Sequence, residues 1–165
     1  MEIIVEELIR TISSEIDAFN ELLVTLREKQ KAIVEGAVDR LNKSVEDESK
    51  LASQTKVLEA ERIERTKELA AKLEMENRNP KLSEIIEKVE EKYSQRLTEQ
   101  RNLLRSVVQN IQNLNKSNQY LLNYSLDYIE QSMKILLGGQ ESVNLYQKDG
   151  TVQGSAKKNL LDQSI

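Results

Sequence analysis

Apolar residues recur at steps of three or four along the start of the chain, which is the period of an α-helix. The spacing is also close to that of a coiled-coil seam, in which apolar positions repeat about every 3.5 residues. We therefore predict a first long helix over about residues 3–35. The positions that define it are Val5, Leu8, Ile12, Ile16, Phe19, Leu23 and Leu26.

Gly36 is the only glycine among the first 137 residues. Glycine ends helices readily because it adopts the left-handed conformation without a steric penalty, so we place a tight turn there and a second helix over about residues 38–77. The alternative is one continuous helix through Gly36, at a cost of about 1 kcal/mol relative to alanine. The second helix is loosely patterned and rich in charge, which predicts a largely solvated face.

Asn79-Pro80 is the next strong boundary, since asparagine caps helices and proline fits the first helical position. A third helix is predicted over about residues 80–137, ended by Gly138-Gly139. Its apolar seam again follows steps of three and four. The seam consists of Leu104, Val107, Ile111, Leu114, Asn118, Leu121, Ser125, Tyr128, Ser132 and Ile135.

These elements predict an all-α fold, an elongated antiparallel helical hairpin or three-helix coiled-coil bundle over residues 1–137. From Gly138 onward the periodicity is lost, and four of the five glycines occur there. Residues 138–165 are therefore predicted to form a flexible C-terminal arm. Because the third helix is the longest element, its end from about Tyr120 is expected to extend beyond the turn at Gly36.

The distribution of charge changes sharply at Arg105. Residues 1–105 hold 42 of the 52 charged residues, whereas residues 106–147 hold five. The low-charge segment contains four of the five tyrosines, and Tyr120, Tyr124 and Tyr128 recur every four residues on one side of the helix. Leucine, isoleucine and methionine occupy much of the remaining circumference, and a helix that is apolar on most sides needs neighbours on most sides.

Two interpretations of this segment remain open from the residues alone. It can lie inside its own bundle, with the tyrosine hydroxyls at the rim. Alternatively, a three-helix protein cannot cover all of it, and the remaining apolar surface receives an amphipathic helix of a partner protein. Tyrosine and methionine suit this second role, because tyrosine supplies a large rigid contact area and methionine adapts to irregular partners.

Composition narrows the function further. The chain has no His, Cys or Trp and a formal net charge of −4, so the usual zinc sites and the Ser-His-Asp or Cys-His couples are excluded. We expect no enzymatic activity, no cofactor and no metal. An acidic chain without a basic block is a poor partner for nucleic acid. No stretch is apolar enough to insert in a membrane and the acidic start does not look like a signal peptide, so a cytoplasmic protein is expected.

Four short segments resemble the FlgN family of flagellar export chaperones. Residues 114–122 (LNKSNQYLL) and 145–150 (LYQKDG) are the more specific ones, and residues 32–36 (AIVEG) and 58–62 (LEAER) agree in kind. The similarity spans nearly the whole chain. It implies a cytoplasmic, ATP-independent chaperone that binds the C-terminal helices of the hook-filament junction proteins FlgK and FlgL. It further implies that the chaperone prevents premature assembly and delivers these proteins to the export gate protein FlhA.

The resemblance also implies site residues. Export-gate docking maps to Tyr146, with Asp149 and Gly150 in the same motif. The rival interpretation is a self-associating coiled-coil scaffold or tether without a client, and weak homo-oligomers are compatible with either function. The substrate-binding surface maps to Asn118, Leu121, Leu122, Tyr124, Tyr128, Ile129, Met133 and Leu136.

Overall fold

The computed structural model describes residues 1–138, and this part of the chain is helical. Four helices follow one another: α1 (Glu2–Glu35), α2 (Val38–Lys72), the short α3 (Leu82–Ile86) and α4 (Glu91–Gly138). No β-strand occurs within these residues. The chain divides into two units, residues 1–122 and 123–165. The predicted all-α helical bundle is confirmed, with α1, α2 and α4 as its three long helices.

The turn between α1 and α2 is at Gly36, as predicted. Gly36 has φ 65° and ψ 24°, in the left-handed region that glycine adopts most easily. Its N–H donates to the carbonyl of Ile33, and the N–H of Ala37 donates to the carbonyl of Ala32. This pair of hydrogen bonds is the Schellman motif, which satisfies carbonyls that a helix end otherwise leaves without a partner. The structure therefore excludes a continuous helix through Gly36.

The connection between α2 and α4 differs from the expectation. α2 ends at Lys72 rather than near residue 77, and α4 begins at Glu91 rather than near residue 80. The cause of the early end is a second Schellman motif in which Glu74, at φ 52°, takes the left-handed position. A non-glycine residue adopts this conformation rarely, so the pattern of apolar residues does not predict it.

The residues after Glu74 are held by packing. The side chain of Ile85 in α3 is fully buried, and Leu82, Ile86 and Val89 pack around the same apolar cluster. The segment that we predicted as the first turns of the third helix therefore folds as a separate short helix that covers one end of the bundle. The free energy gained by burying its apolar residues is larger than the free energy that a continued regular helix would provide.

Residues 1–122 contain two apolar clusters, and α1 and α4 contribute to both of them. The first cluster also includes Leu69 and Ala70 of α2 and Ile85 of α3. The second contains no fully buried residue of α2, and only Leu51 of that helix packs against it. The first cluster contains Val5, Leu8, Ile9, Ile12, Tyr93 and Leu97 from α1 and α4, and the second contains Leu22, Leu23, Leu26, Val107 and Ile111.

Polar contacts show how the helices run within this unit. Near the start of both α1 and α4, the Tyr93 hydroxyl donates to Glu2 Oε1 at 2.7 Å. Near the end of α1, Asn118 Nδ2 donates to the Leu26 carbonyl at 2.9 Å, so α1 and α4 are parallel. Contacts between α1 and α2 follow the opposite order. Arg65 pairs with Glu7 at 3.2 Å, and Glu48 pairs with Lys29 at 2.7 Å, so α1 and α2 are antiparallel.

A buried ion pair joins α1 and α2 between the two apolar clusters. Glu15 is 1% exposed, and its Oε2 accepts a hydrogen bond from Arg62 Nε at 2.7 Å. Burial raises the pKa of Glu15 above its ordinary value, and the nearby guanidinium of Arg62 offsets only part of that effect. The surrounding surface of α2 is polar, since its other buried residues in this region are Thr55 and Thr66.

The packing of the core predicts that truncation of two leucines of α4 lowers the free energy of unfolding by different amounts. Leu97 is fully buried, whereas Leu103 is 55% exposed. We expect Leu97→Ala to lower the free energy of unfolding by about 2–5 kcal/mol, because it removes buried methyl groups and leaves a cavity. Leu103→Ala serves as the matched control and should change it by less than about 0.5 kcal/mol. Urea unfolding followed by circular dichroism measures both, and equal effects would contradict the packing described above.

The buried ion pair predicts a specific pH dependence. A carboxyl group with a raised pKa in the folded state contributes stability below its unfolded pKa and loses it as the pH rises through the folded value. Glu15→Gln has no charge to desolvate, so its free energy of unfolding should rise relative to that of the wild type between about pH 4 and pH 7. Urea unfolding at each pH tests this, since the other carboxylates are common to both proteins. A difference that stays constant or falls would contradict the prediction.

Candidate protein-binding surface

Burial along α4 ends at Asn118 in the part of the chain that the structure describes. Asn118 is 1% exposed, and its amide nitrogen donates a hydrogen bond to the carbonyl of Leu26. The preceding residue, Ser117, accepts a hydrogen bond from Gln30 Nε2 at 3.0 Å. These two contacts fix α4 against the last turns of α1. Asn118 is therefore enclosed by the bundle, and the substrate-binding role predicted for it stays a prediction.

The residues that follow Asn118 within the first unit are exposed or half-buried. Tyr120 is exposed, whereas Leu121 and Leu122 are half-buried. Leu121 and Leu122 belong to the predicted substrate-binding set, and their partial burial gives them a role in packing as well. Substitutions at these two positions therefore test binding less cleanly than substitutions further along the helix.

Residues 123–137 form the final part of α4 and carry a large exposed apolar surface, which we call the exposed apolar segment. Their large apolar side chains are between 53% and 81% exposed. The other described residues leave these side chains exposed, and an exposed apolar surface of this extent is typical of a site of interaction with another molecule. The side chains are Tyr124, Leu126, Tyr128, Ile129, Met133, Ile135, Leu136 and Leu137.

Helical geometry distributes these side chains around a central line formed by Ser125 and Ser132. At about 100° per residue, Tyr128 and Ile129 lie roughly 50° to either side of this line. Tyr124 lies about 90° away on the tyrosine side, and Met133 about 90° away on the opposite side, which we call the methionine side. Ile135 shares the tyrosine side, whereas Leu126, Leu136 and Leu137 share the methionine side.

The charged residues of the exposed apolar segment occupy the remaining side of the helix. Asp127, Glu130 and Lys134 cluster roughly opposite the serine line by the same geometry. Glu130 and Lys134 form an ion pair at 2.6 Å, an i,i+4 arrangement that supports an exposed helix by a few tenths of a kcal/mol. Solvent-facing charges on one side and apolar residues on the others leave only one side of the helix suited to water.

Sequence reasoning recovered part of this surface. Tyr124, Tyr128, Ile129, Met133 and Leu136 were predicted as substrate-binding residues, and all five are exposed together on the segment. Their role in binding stays a prediction. Three further exposed residues were missed, although their apolar character within a low-charge helix could have indicated them: Leu126, Ile135 and Leu137.

The residues predicted to dock on the export gate lie outside the described part of the chain. They are Tyr146, Asp149 and Gly150. Their assignment therefore remains a prediction from the sequence.

The described residues place limits on two other kinds of site. Over residues 1–138, acidic side chains do not gather in any group of three or more that could bind a metal ion. The helices of the same part of the chain are each too short or too polar to cross a membrane.

The fold and this surface define a class of protein: a bundle of three long helices whose last helix carries an apolar surface that the described residues leave exposed. The family model described as FlgN protein matches residues 1–154 of the chain. The chain therefore belongs to the FlgN family, and it is a flagellar export chaperone that binds flagellar export substrates. A search of curated proteins and a search of solved structures each found no match.

Proposed function

We propose that the chain binds the C-terminal helices of the hook-filament junction proteins FlgK and FlgL through its exposed apolar segment. It acts in the cytoplasm, where it prevents their premature assembly and delivers them to the export gate. The observation that carries this proposal is the set of large apolar side chains left uncovered on α4 in a member of an export-chaperone family.

The energetics favour an amphipathic helix as the bound element. Full burial of one large apolar side chain contributes about 1.5–3 kcal/mol, and the segment offers eight such side chains. Much of this gain is offset by the cost of ordering a flexible client, which is typically several kcal/mol. The balance supports binding that is specific and still reversible, as delivery of a client requires.

Covering the client also explains how assembly is prevented. A terminal segment that packs against its neighbours in a filament must carry an apolar face of its own, since apolar burial drives most protein association. A client helix bound to the exposed apolar segment has that face buried. The same contact therefore blocks association between clients and keeps the segment from causing aggregation.

The central test removes side chains close to the serine line. Tyr128→Ala with Ile129→Ala should weaken binding of C-terminal FlgK and FlgL peptides by about tenfold or more, because buried aromatic and aliphatic anchors dominate such interfaces. Isothermal titration calorimetry with the full chain measures the affinity. Alanine favours the helix, so circular dichroism should show unchanged helicity.

A matched control removes exposed apolar side chains elsewhere. Val45→Ala with Val57→Ala on α2 should leave peptide affinity within about twofold, since both side chains are exposed and lie outside the segment. Equal peptide affinities for all variants would contradict the assignment of the exposed apolar segment as the binding surface. Dimerisation through this segment, with no binding of either peptide, would instead favour the self-associating scaffold.

We propose in addition that Tyr146, with Asp149 and Gly150, docks the loaded chaperone on FlhA. The support is the resemblance of residues 145–150 to the family motif together with the family match, which extends through residue 154. In this division of labour, the helix holds the client and the motif directs it to the gate.

This division predicts separable effects for Tyr146. Tyr146→Ala should leave the affinity for FlgK and FlgL peptides within about twofold, because the residue lies outside the exposed apolar segment. The same variant should reduce secretion of both junction proteins from flagellated cells, measured in culture supernatants. Tyr146→Phe keeps the aromatic ring and removes only the hydroxyl group, so comparing it with Tyr146→Ala separates the contributions of the ring and the hydroxyl to secretion. A large loss of peptide binding in Tyr146→Ala would refute the separation.

A further inference from the structure

We propose that one client chain covers the exposed apolar segment with two helical segments, one on the tyrosine side and one on the methionine side. This inference rests on the proposed function and specifies the kind of client that the surface fits. A client that offers only a single helix would leave one of the two sides in contact with water.

The width of the apolar surface is the first argument. Measured from the serine line, it extends about 90° to Tyr124 on one side and about 130° to Leu137 on the other, which makes roughly 220° in total. A helix that packs against one neighbouring layer carries an apolar stripe of on the order of 100°. The exposed apolar segment is therefore about twice as wide as one partner requires.

The same helix shows within residues 1–122 how a wide apolar surface is covered. Leu97 of α4 lies in a cluster with Leu8 of α1 and Leu69 of α2. Further along, Val107 packs in a cluster that contains Leu26 of α1 and is flanked by Leu51 of α2. Two helices thus share the apolar surface of α4 in the bundle, and two client helices would repeat that arrangement on the exposed apolar segment.

The side chains on the serine line fit a position between two helices. Ser125 and Ser132 are small, and small residues let neighbouring helix backbones approach closely. The bulky residues Tyr128 and Ile129 stand on either side of them and supply a separate contact surface for each helix. The charged side with Asp127, Glu130 and Lys134 is left to water, which limits the number of partners to two.

A single client chain is favoured over two independent ones because linkage raises the effective concentration of the second segment. Once the first helix is bound, the second binds in an intramolecular step. The combined complex is then stable even though each side offers only a few large anchors. A chaperone that holds a monomeric client in this way has a stoichiometry of one client per chain.

The experiment compares two double variants of the full chain. Tyr124→Ala with Tyr128→Ala truncates two large side chains on the tyrosine side. Leu126→Ala with Met133→Ala truncates two on the methionine side. The probes are C-terminal FlgK segments of about 40 residues, long enough for two helices, and of about 20 residues, long enough for one. Calorimetry gives affinity and stoichiometry, and sedimentation gives the mass of the free chain and of the complex.

We expect each double variant to weaken the binding of the long segment about tenfold. The stoichiometry should be one client per chain. The short segment should bind more weakly and respond to only one of the two variants. The Val45→Ala with Val57→Ala chain is the control and should match the wild type with both probes.

Other outcomes overturn the inference in distinguishable ways. If only one double variant weakens the long segment, the client binds on one side, and the proposed function stands without this inference. Two long segments per chain would mean two independent clients. A free dimer that one double variant dissociates without changing client affinity would assign that side to a second copy of the chain. Absence of binding by the wild type to either probe would reject the proposed function itself.

Discussion

Apolar contact between α1 and α4 is the interaction on which the rest of the bundle depends. These two helices run parallel to each other, contribute to both clusters of the core and supply all the buried residues of the second. A chain can place two helices in parallel only if it returns to the starting end between them. α2 provides this return, and α3 with its flanking loops closes the end of the bundle. The antiparallel hairpin of α1 and α2 is thus a requirement of the connection as much as of packing.

Sequence periodicity predicted the helices well where a residue with a distinct local preference marked the boundary. Gly36 ends α1 because it accepts the left-handed conformation, and glycine is the residue type whose local preference favours such a turn. The end of α2 depends instead on Glu74, which takes the same conformation between Leu73 and Met75, two residues that pack against the first apolar cluster. The separate helix α3 has the same origin, since burial of Ile85 is a property of the folded core and leaves no mark on local periodicity.

Two features of the sequence pointed to the exposed apolar segment, the fall in charge after Arg105 and the four-residue repeat of tyrosines, but they left open whether it is enclosed or exposed. What the pattern could not separate was a buried seam position from an exposed one. Asn118 lies on the same seam as Tyr128, yet one is enclosed by α1 and the other is uncovered. That distinction depends on which side chains of α1 lie alongside each turn of α4. Only the folded arrangement specifies it.

The buried surface of α2 is unusual for its lack of apolar residues, and this has a consequence for how the bundle moves. Its two fully buried apolar residues, Leu69 and Ala70, lie in the last turn, whereas Ser44 and Thr55 occupy the corresponding positions nearer Gly36. Serine and threonine side chains bury less apolar area than leucine, so this part of α2 gains less free energy from apolar burial. We therefore expect thermal opening to begin at the Gly36 end, where the backbone amides of α2 should exchange with solvent faster than those near Leu69. At the opposite end, Leu69 and Ile85 are fully buried in the first apolar cluster, so we expect the hairpin of α1 and α2 to stay closed there.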